Sequence, residues 1–335
     1  MKVNRMTKIL LLSALVCGCG ESSIEHSKSI SFNYIIEEFA ASSRSTLTAA
    51  DIEDRIESVS LFIYHKDRLI FTDYTDDGFR GFEAELETDW EYDIYALINM
   101  GDLRDAMPSD KSSERLDEFS WNIPSYQHID DEGLPMAGRL EGFIAGKDNP
   151  VIILKRLFAK VCIDISFEYE GAKVREVRIQ NLNGTLKPFG TSCASTSSSI
   201  MTDIESDKGS GTYVFYVPEN MQGQIGSASD AHEKNPDLDP AINAKKDVLT
   251  YMEAYVDLNG QEGYKGCVTY RSYLGNSSTG NFDIRGNCEY KWRVRYLEDN
   301  LQYNDWKIDT EGMSSGMTLP FMIIPGWSDQ SGIEL

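Results

Sequence analysis

Catalytic motifs are scarce in this sequence. Its 335 residues hold only 4 histidines (His26, His65, His128 and His232) and 10 prolines. There is no HExxH, GxSxG or P-loop, and no GxGxxG leading into a helix. Without a metal, nucleophile or phosphate signature, no enzyme activity, cofactor or metal site is expected. Basic side chains are in deficit: 32 Lys and Arg against 54 Asp and Glu leave a formal net charge of −22. That sign argues against nucleic acid and anionic lipid as partners, and suits an exported, soluble surface. The acidic group Asp230, His232, Asp237 and Asp239 lacks the glycine and terminal glutamate of a calcium loop, so it reads as a solvated excursion. Past the N-terminus no apolar run is long enough to span a bilayer. Four cysteines lie beyond that start: Cys162, Cys193, Cys267 and Cys288. None sits in a CxxC pair, which leaves buried thiols or up to two disulfides. Cys267 and Cys288 flank a hairpin-like segment and form the first pair to consider.

The N-terminus itself is informative. Residues 1–18 have the basic start, apolar core and small final residues of a lipoprotein signal peptide. Val16-Cys17-Gly18-Cys19 fits a lipobox with Cys19 as the lipid attachment point, so anchoring would rest on a fatty acyl chain such as palmitate. Ile30, Phe32, Tyr34 and Ile36 then alternate with Ser31, Asn33, Ile35 and Glu37, the period of a half-buried strand. A small, polar stretch around Arg44 follows, of the kind that proteases nick. Residues 19–44 therefore read as a leader whose strand can be removed after folding.

The rest of the chain is strand after strand. Val59 to Ile63, Phe82 to Leu86 and Tyr92 to Ile98 alternate, with a helical turn expected at Thr48–Arg55 and another helix at Ser113–Phe119. Gly146 to Pro150 reads as a linker, and the same style resumes in Val151–Leu157, Val161–Phe167, Tyr213–Val217, Met252–Leu258 and Tyr290–Tyr296. The expectation is an all-β protein of two tandem β-sandwiches with long loops and few short helices. The first covers 45–150 and the second 151–335.

Several phrases, in order, resemble the fimbrillin family of Bacteroidales type V pilins. They are the lipobox, the strand followed by Arg44, IESVSLFIY (56–64), EYDIYALINMGDL (91–103), LPMAG (134–138), ILKRLFAKVCIDI (153–165), FYVPENMQG (215–223), YRSYLGN (271–276 and its preceding Tyr270) and FDIRGNCEYKWRV (282–294). The resemblance implies transthyretin-like sandwiches and a lipidated precursor at the outer membrane. It also implies an arginine-specific maturation protease that cuts between Arg44 and Ser45. Other fimbrial subunits would be the partners, joined by donor-strand exchange into a cell-surface fimbrium that can serve adhesion.

Arg55 is the second cleavage candidate, set in a more acidic context. Leu319, Phe321 and Ile323 alternate and are the candidate donor strand, although Pro320 costs a ladder hydrogen bond. The alternative function is an uncleaved surface lipoprotein, either a basal anchor or a binder of glycan or host ligand. Trp121, Trp292, Trp306 and Trp327 could line such a site, with core packing the simpler reading.

Overall fold

The computed structural model describes residues 27–37, 51–77, 82–111, 113–147, 150–167, 173–196, 200–201, 204–206, 211–228, 233–257, 267–277, 279–296 and 322–324. The chain opens with β1 (Ser27–Ser31) and β2 (Asn33–Ile36), followed by a single helical turn, α1 (Asp51–Asp54). The hairpin β3 (Val59–His65) and β4 (Arg68–Thr75) comes next, then β5 (Glu83–Glu87) and β6 (Glu91–Ile98). A crossing segment carries α2 (Ser113–Glu118), β7 (Trp121–Asn122) and α3 (Gln127–Glu132) before β8 (Met136–Ile144) and β9 (Val151–Arg156). The second half holds β10 (Phe158–Phe167), β11 (Lys173–Gln180), β12 (Leu182–Asn183), β13 (Thr185–Leu186) and β14 (Ile200–Met201). It continues with β15 (Ile204–Ser206), β16 (Gly211–Pro218), α4 (Pro240–Asn243), β17 (Tyr251–Asp257), β18 (Cys267–Tyr273), β19 (Glu289–Tyr296) and β20 (Met322–Ile324). The protein is all-β, and its described helices are each six residues or shorter.

One six-stranded sheet, in the order β2-β9-β8-β6-β3-β4, dominates the first half, with the pair β1-β5 laid against it. Val59, Leu61, Ile63, Ile94, Ala96 and Ile98 fill the core between these layers. The other face is buried as well. Phe62, Tyr64, Tyr95 and Leu97 pack under the crossing segment, together with Phe158, Leu186 and Tyr216 of the second half. Burial on both faces explains why β3 reads as a nearly continuous apolar run. In the second half, a three-stranded sheet (β16-β10-β19) and a five-stranded sheet (β15-β11-β17-β18-β20) share a core that includes Val161, Ile163, Val177, Ile179, Phe215, Met252 and Tyr270.

Local chemistry shows why two phrases fold as they do. Asn99 ends β6 in the left-handed region (φ 58), and its amide Nδ2 donates to the carbonyls of Arg55 (2.8 Å) and Leu134 (3.0 Å). Its Oδ1 accepts from the N–H of Glu57 (2.9 Å), so one buried side chain closes three chain segments. Gly138 permits the close approach of β9: a Cβ there would lie 2.6 Å from the carbonyl oxygen of Ile153.

Two expectations need correction. Residues 151–156 do not begin the second half, because β9 is bonded to β8 on one side and β2 on the other. Gly146 lies in the turn between β8 and β9, and the chain passes into the second half after Arg156. The Cys267–Cys288 bridge is not made, since Cys288 carries a free thiol. Cys267 starts β18 in the five-stranded sheet, whereas Cys288 precedes β19 in the three-stranded one.

The long excursion before β17 is anchored by a buried lysine. Lys234 is 1% exposed, and its Nζ donates to the carbonyl oxygens of Leu274 (3.3 Å), Ser277 (3.0 Å) and Asn281 (2.7 Å) above the Phe282 ring. Burial pushes this amine down to about 7, with the charge of Asp283 acting in the opposite direction. Asp239, in the acidic group read as a loop, caps α4: its carboxylate accepts from the N–H groups of Ala241 (2.8 Å) and Ser227 (3.0 Å). Those backbone bonds hold its carboxyl below the usual range. Among the described residues, no cluster of three or more His, Cys, Asp or Glu is arranged to hold a metal ion.

Candidate functional site

The leader occupies a slot at the margins of both layers of the first half. β1 runs antiparallel to β5, with Ser27 opposite Glu87 and Ser31 opposite Glu83. At Phe32 the chain crosses over, its N–H donating to the carbonyl of Phe82 (3.1 Å). β2 then runs parallel to β9, with Asn33 opposite Val151 and Ile36 opposite Leu154, and the N–H of Glu37 donates to Leu154 O (2.9 Å). A single extended segment thus finishes two sheets in turn.

Its alternating side chains decide which way it faces. Ile30 (6% exposed) and Phe32 (2%) enter the core, and Phe32 meets Phe143 with ring centroids 6.4 Å apart. Tyr34 and Ile36 are half-buried against the same cluster. Ser27, Lys28, Ser29 and Ser31 face solvent beside the row of glutamates on β5. Burying the two core side chains contributes about 3–6 kcal/mol at roughly 1.5–3 kcal/mol each. That is a sizeable fraction of a domain's stability, typically about 5–15 kcal/mol.

Beyond the slot lies a buried charged junction. Arg156, at the end of β9, is 4% exposed. Its Nη1 donates to Glu37 O (2.7 Å) and to Asn287 Oδ1 (3.1 Å), its Nε to Glu53 O (2.9 Å) and its Nη2 to Asp54 Oδ1 (2.6 Å). Glu53 Oε1 in turn accepts from Lys160 Nζ (2.6 Å) and from the Tyr216 hydroxyl (2.6 Å). Burial, and then the bond to the Glu53 carboxylate, push the Tyr216 hydroxyl far above its ordinary pKa. Charges this deep persist only when paired and hydrogen-bonded, and every one of these is. The arrangement ties the leader's exit, α1, both halves and the loop at Asn287 into one network.

The expected site residues distribute unevenly. Ile30, Phe32, Tyr34 and Ile36 lie together in the slot, although β1 and β2 break at Phe32 rather than forming one strand. Cys19, Arg44, Ser45, Leu319 and Phe321 lie outside the described residues. Ile323 lies in β20, opposite Tyr270, at one margin of the five-stranded sheet. Arg55 is held by its guanidinium on the carbonyls of Ile129 (3.3 Å) and Asp130. Trp121 is buried in the layer between the halves, and the side chains of Trp292, Trp306 and Trp327 lie outside those described. Sequence reasoning missed the roles of Glu53, Arg156, Lys160 and Tyr216. The Arg-x-x-Ala-Lys phrase at 156–160 was the available signal, but nothing in it names Glu53 as the partner.

A second feature lies at the β3–β4 turn. Trp90 is 47% exposed and stacks on His65 (centroids 4.4 Å apart, planes within 17°) beside a cavity of about 430 Å³ lined also by Lys66, Asp67, Asp89, Glu91 and Asp93. His65 Nδ1 donates to Glu91 O (2.9 Å), and Asp93 is paired with Lys111 (2.6 Å).

Comparison with known proteins supports the fold. A family described as a domain of unknown function, DUF4906, matches residues 215–294. No curated protein sequence matches the chain. Among solved structures, the tip fimbrial protein Mfa3 of Porphyromonas gingivalis, with a C-terminal truncation, is similar at TM-score 0.56 and 14% identity, over 89% of this chain and 99% of that one. A candidate cell adhesion protein of Bacteroides eggerthii gives TM-score 0.53 and 11% identity, over 89% and 93% of the two chains. Another, from Parabacteroides distasonis, gives 0.52 and 13%, over 89% and 95%. This chain therefore shares the fold of fimbrial and candidate cell adhesion proteins of Bacteroidales along nearly its whole length.

Proposed function

We propose that this chain is a structural, non-catalytic subunit of a cell-surface fimbrium. It is exported as a lipoprotein through Cys19, cut between Arg44 and Ser45, and polymerised when a neighbour's strand takes the place of its leader. The carrying observation is the leader slot. A segment that ends two sheets, and holds the core by two large side chains, can leave without unthreading any other strand. An emptied slot presents unpaired main chain and an open core, which favours refilling by another extended segment. The fimbrial and adhesion neighbours support the same reading. Arg55 is the weaker cut site, since its guanidinium is already engaged by two carbonyls. Ile323, on a marginal strand only three residues long, stands where a donor segment could detach.

Mass spectrometry of the surface-exposed form tests this. A mature N-terminus at Ser45, together with a ladder of polymers on gels run without full heat denaturation, is expected. A surface form that keeps lipidated Cys19 and the leader throughout would leave only the basal-anchor or ligand-binding alternative. Adhesion is favoured as an additional role by the exposed Trp90 ring beside its polar cavity.

A further inference from the structure

The leader slot has a chemical reader at its exit, and that reader is Arg156. This inference rests on the strand-replacement reading above. We infer that Arg156 is a positioning residue for whichever strand fills the slot, recognising the main-chain carbonyl one residue past the β2 ladder, now supplied by Glu37.

The geometry is specific to the backbone. The N–H of residue 37 is used by Leu154 O (2.9 Å) and its carbonyl by Arg156 Nη1 (2.7 Å), so both main-chain groups of that position are claimed by β9. The Glu37 side chain lies outward, 3.3 Å from exposed Lys155. An incoming strand is therefore asked for an amide and a carbonyl there, not for a particular side chain. Proline alone is excluded, because it lacks the N–H. The guanidinium is itself fixed from other directions by Glu53 O, Asp54 Oδ1 and Asn287 Oδ1. A rigid, buried fork of this kind gains most from a carbonyl already in line, and hydrogen bonds to charged groups are the stronger ones. The same fork joins the slot to α1 and to the Asn287 loop of the second half.

The test uses the full chain cut at residue 44 and then supplied with labelled peptides. One peptide covers residues 27–37 as its amide. The other covers 27–36 closed by an N-methylamide, which keeps the N–H of position 37 and removes its carbonyl. The longer peptide is expected to bind roughly tenfold or more tightly, as loss of a charge-assisted bond predicts. Glu37→Ala in that peptide should change little. In the Arg156→Met chain the two peptides should bind alike, with Arg156→Lys intermediate. Equal binding of the two peptides to the unsubstituted chain overturns the inference while leaving strand replacement intact, and that comparison needs no folded variant. An unchanged ratio in a folded Arg156→Met chain overturns it too. If the cut leader never leaves and neither peptide enters, strand replacement itself fails, and the inference with it.

Discussion

The two stretches on either side of residue 44 are held by different physics. Before it, the leader is attached by ladder hydrogen bonds, by two core side chains, Ile30 and Phe32, and by one main-chain carbonyl on Arg156. After it, α1 is attached by buried charge: Glu53 to Lys160 and Tyr216, Asp54 to Arg156. The first kind of attachment is generic. Any strand with large apolar residues two positions apart supplies it. The second belongs to this chain, because each acceptor has a donor placed for it. Under the proposed function, the first part is the one to be exchanged and the second the one that stays.

The largest effect that could break this contrast is at Glu53. Glu53→Ala removes the buried carboxylate that both Lys160 and Tyr216 bond, and should cost about 3–5 kcal/mol in urea unfolding. A cost under about 1 kcal/mol would mean that α1 is as replaceable as the leader. Phe32→Ala should cost the uncut precursor about 3 kcal/mol, because it empties a ring-sized space in the core. Urea unfolding of the uncut chain checks this, and a loss under about 1 kcal/mol would mean that the ring adds little to the leader's hold.

Lys234 sharpens the contrast, because its Nζ donates to the carbonyl oxygens of Leu274, Ser277 and Asn281 where that of Lys160 donates to a carboxylate. Its folded pKa, about 7, is lower than the ordinary 10.5. Between those values the unfolded chain binds the extra proton, so the contribution of Lys234 to stability rises with pH, opposed near pH 9 by the thiols of Cys162, Cys193 and Cys288, whose folded pKa values are raised. A gain of about 2 kcal/mol is expected between pH 7 and pH 9, and Lys234→Met should flatten it. The buried tyrosines, whose hydroxyls are pushed above 10, enter only beyond that window. The smallest effect is at Ser31, whose hydroxyl donates to exposed Glu83 at 3.4 Å. Ser31→Ala should shift stability by less than about 0.5 kcal/mol.

Much of this molecule was legible in the sequence, and the illegible parts share a cause. Alternation gave the leader strand and β5, because one face of each meets the core and the other meets water. The helical turn at 51–54 and the helix at 113–118 fall inside the expected spans. The break at Phe32 was hidden, because it depends on β5 and β9 lying on different layers, about 50 and 120 residues downstream. From the sequence β9 reads as the start of the second half, because a turn with Gly and Pro looks the same whether the chain then leaves a sheet or folds back onto it. The charged junction was out of reach for the same reason: Glu53 and Lys160 are 107 residues apart, and no periodicity connects them.

The sense of the two ladders carries one more consequence. β1 meets its neighbour head to tail, while β2 meets its own running the same way. A segment inserted backwards would invert both patterns at once and lose the bonds at Phe82, Leu154 and Arg156. Copies linked through this seat would all point along one axis, with unlike ends and no twofold partner to close the chain. An assembly of that type is polar, like an arrow, and extends as a filament wherever the rotation from one copy to the next does not close.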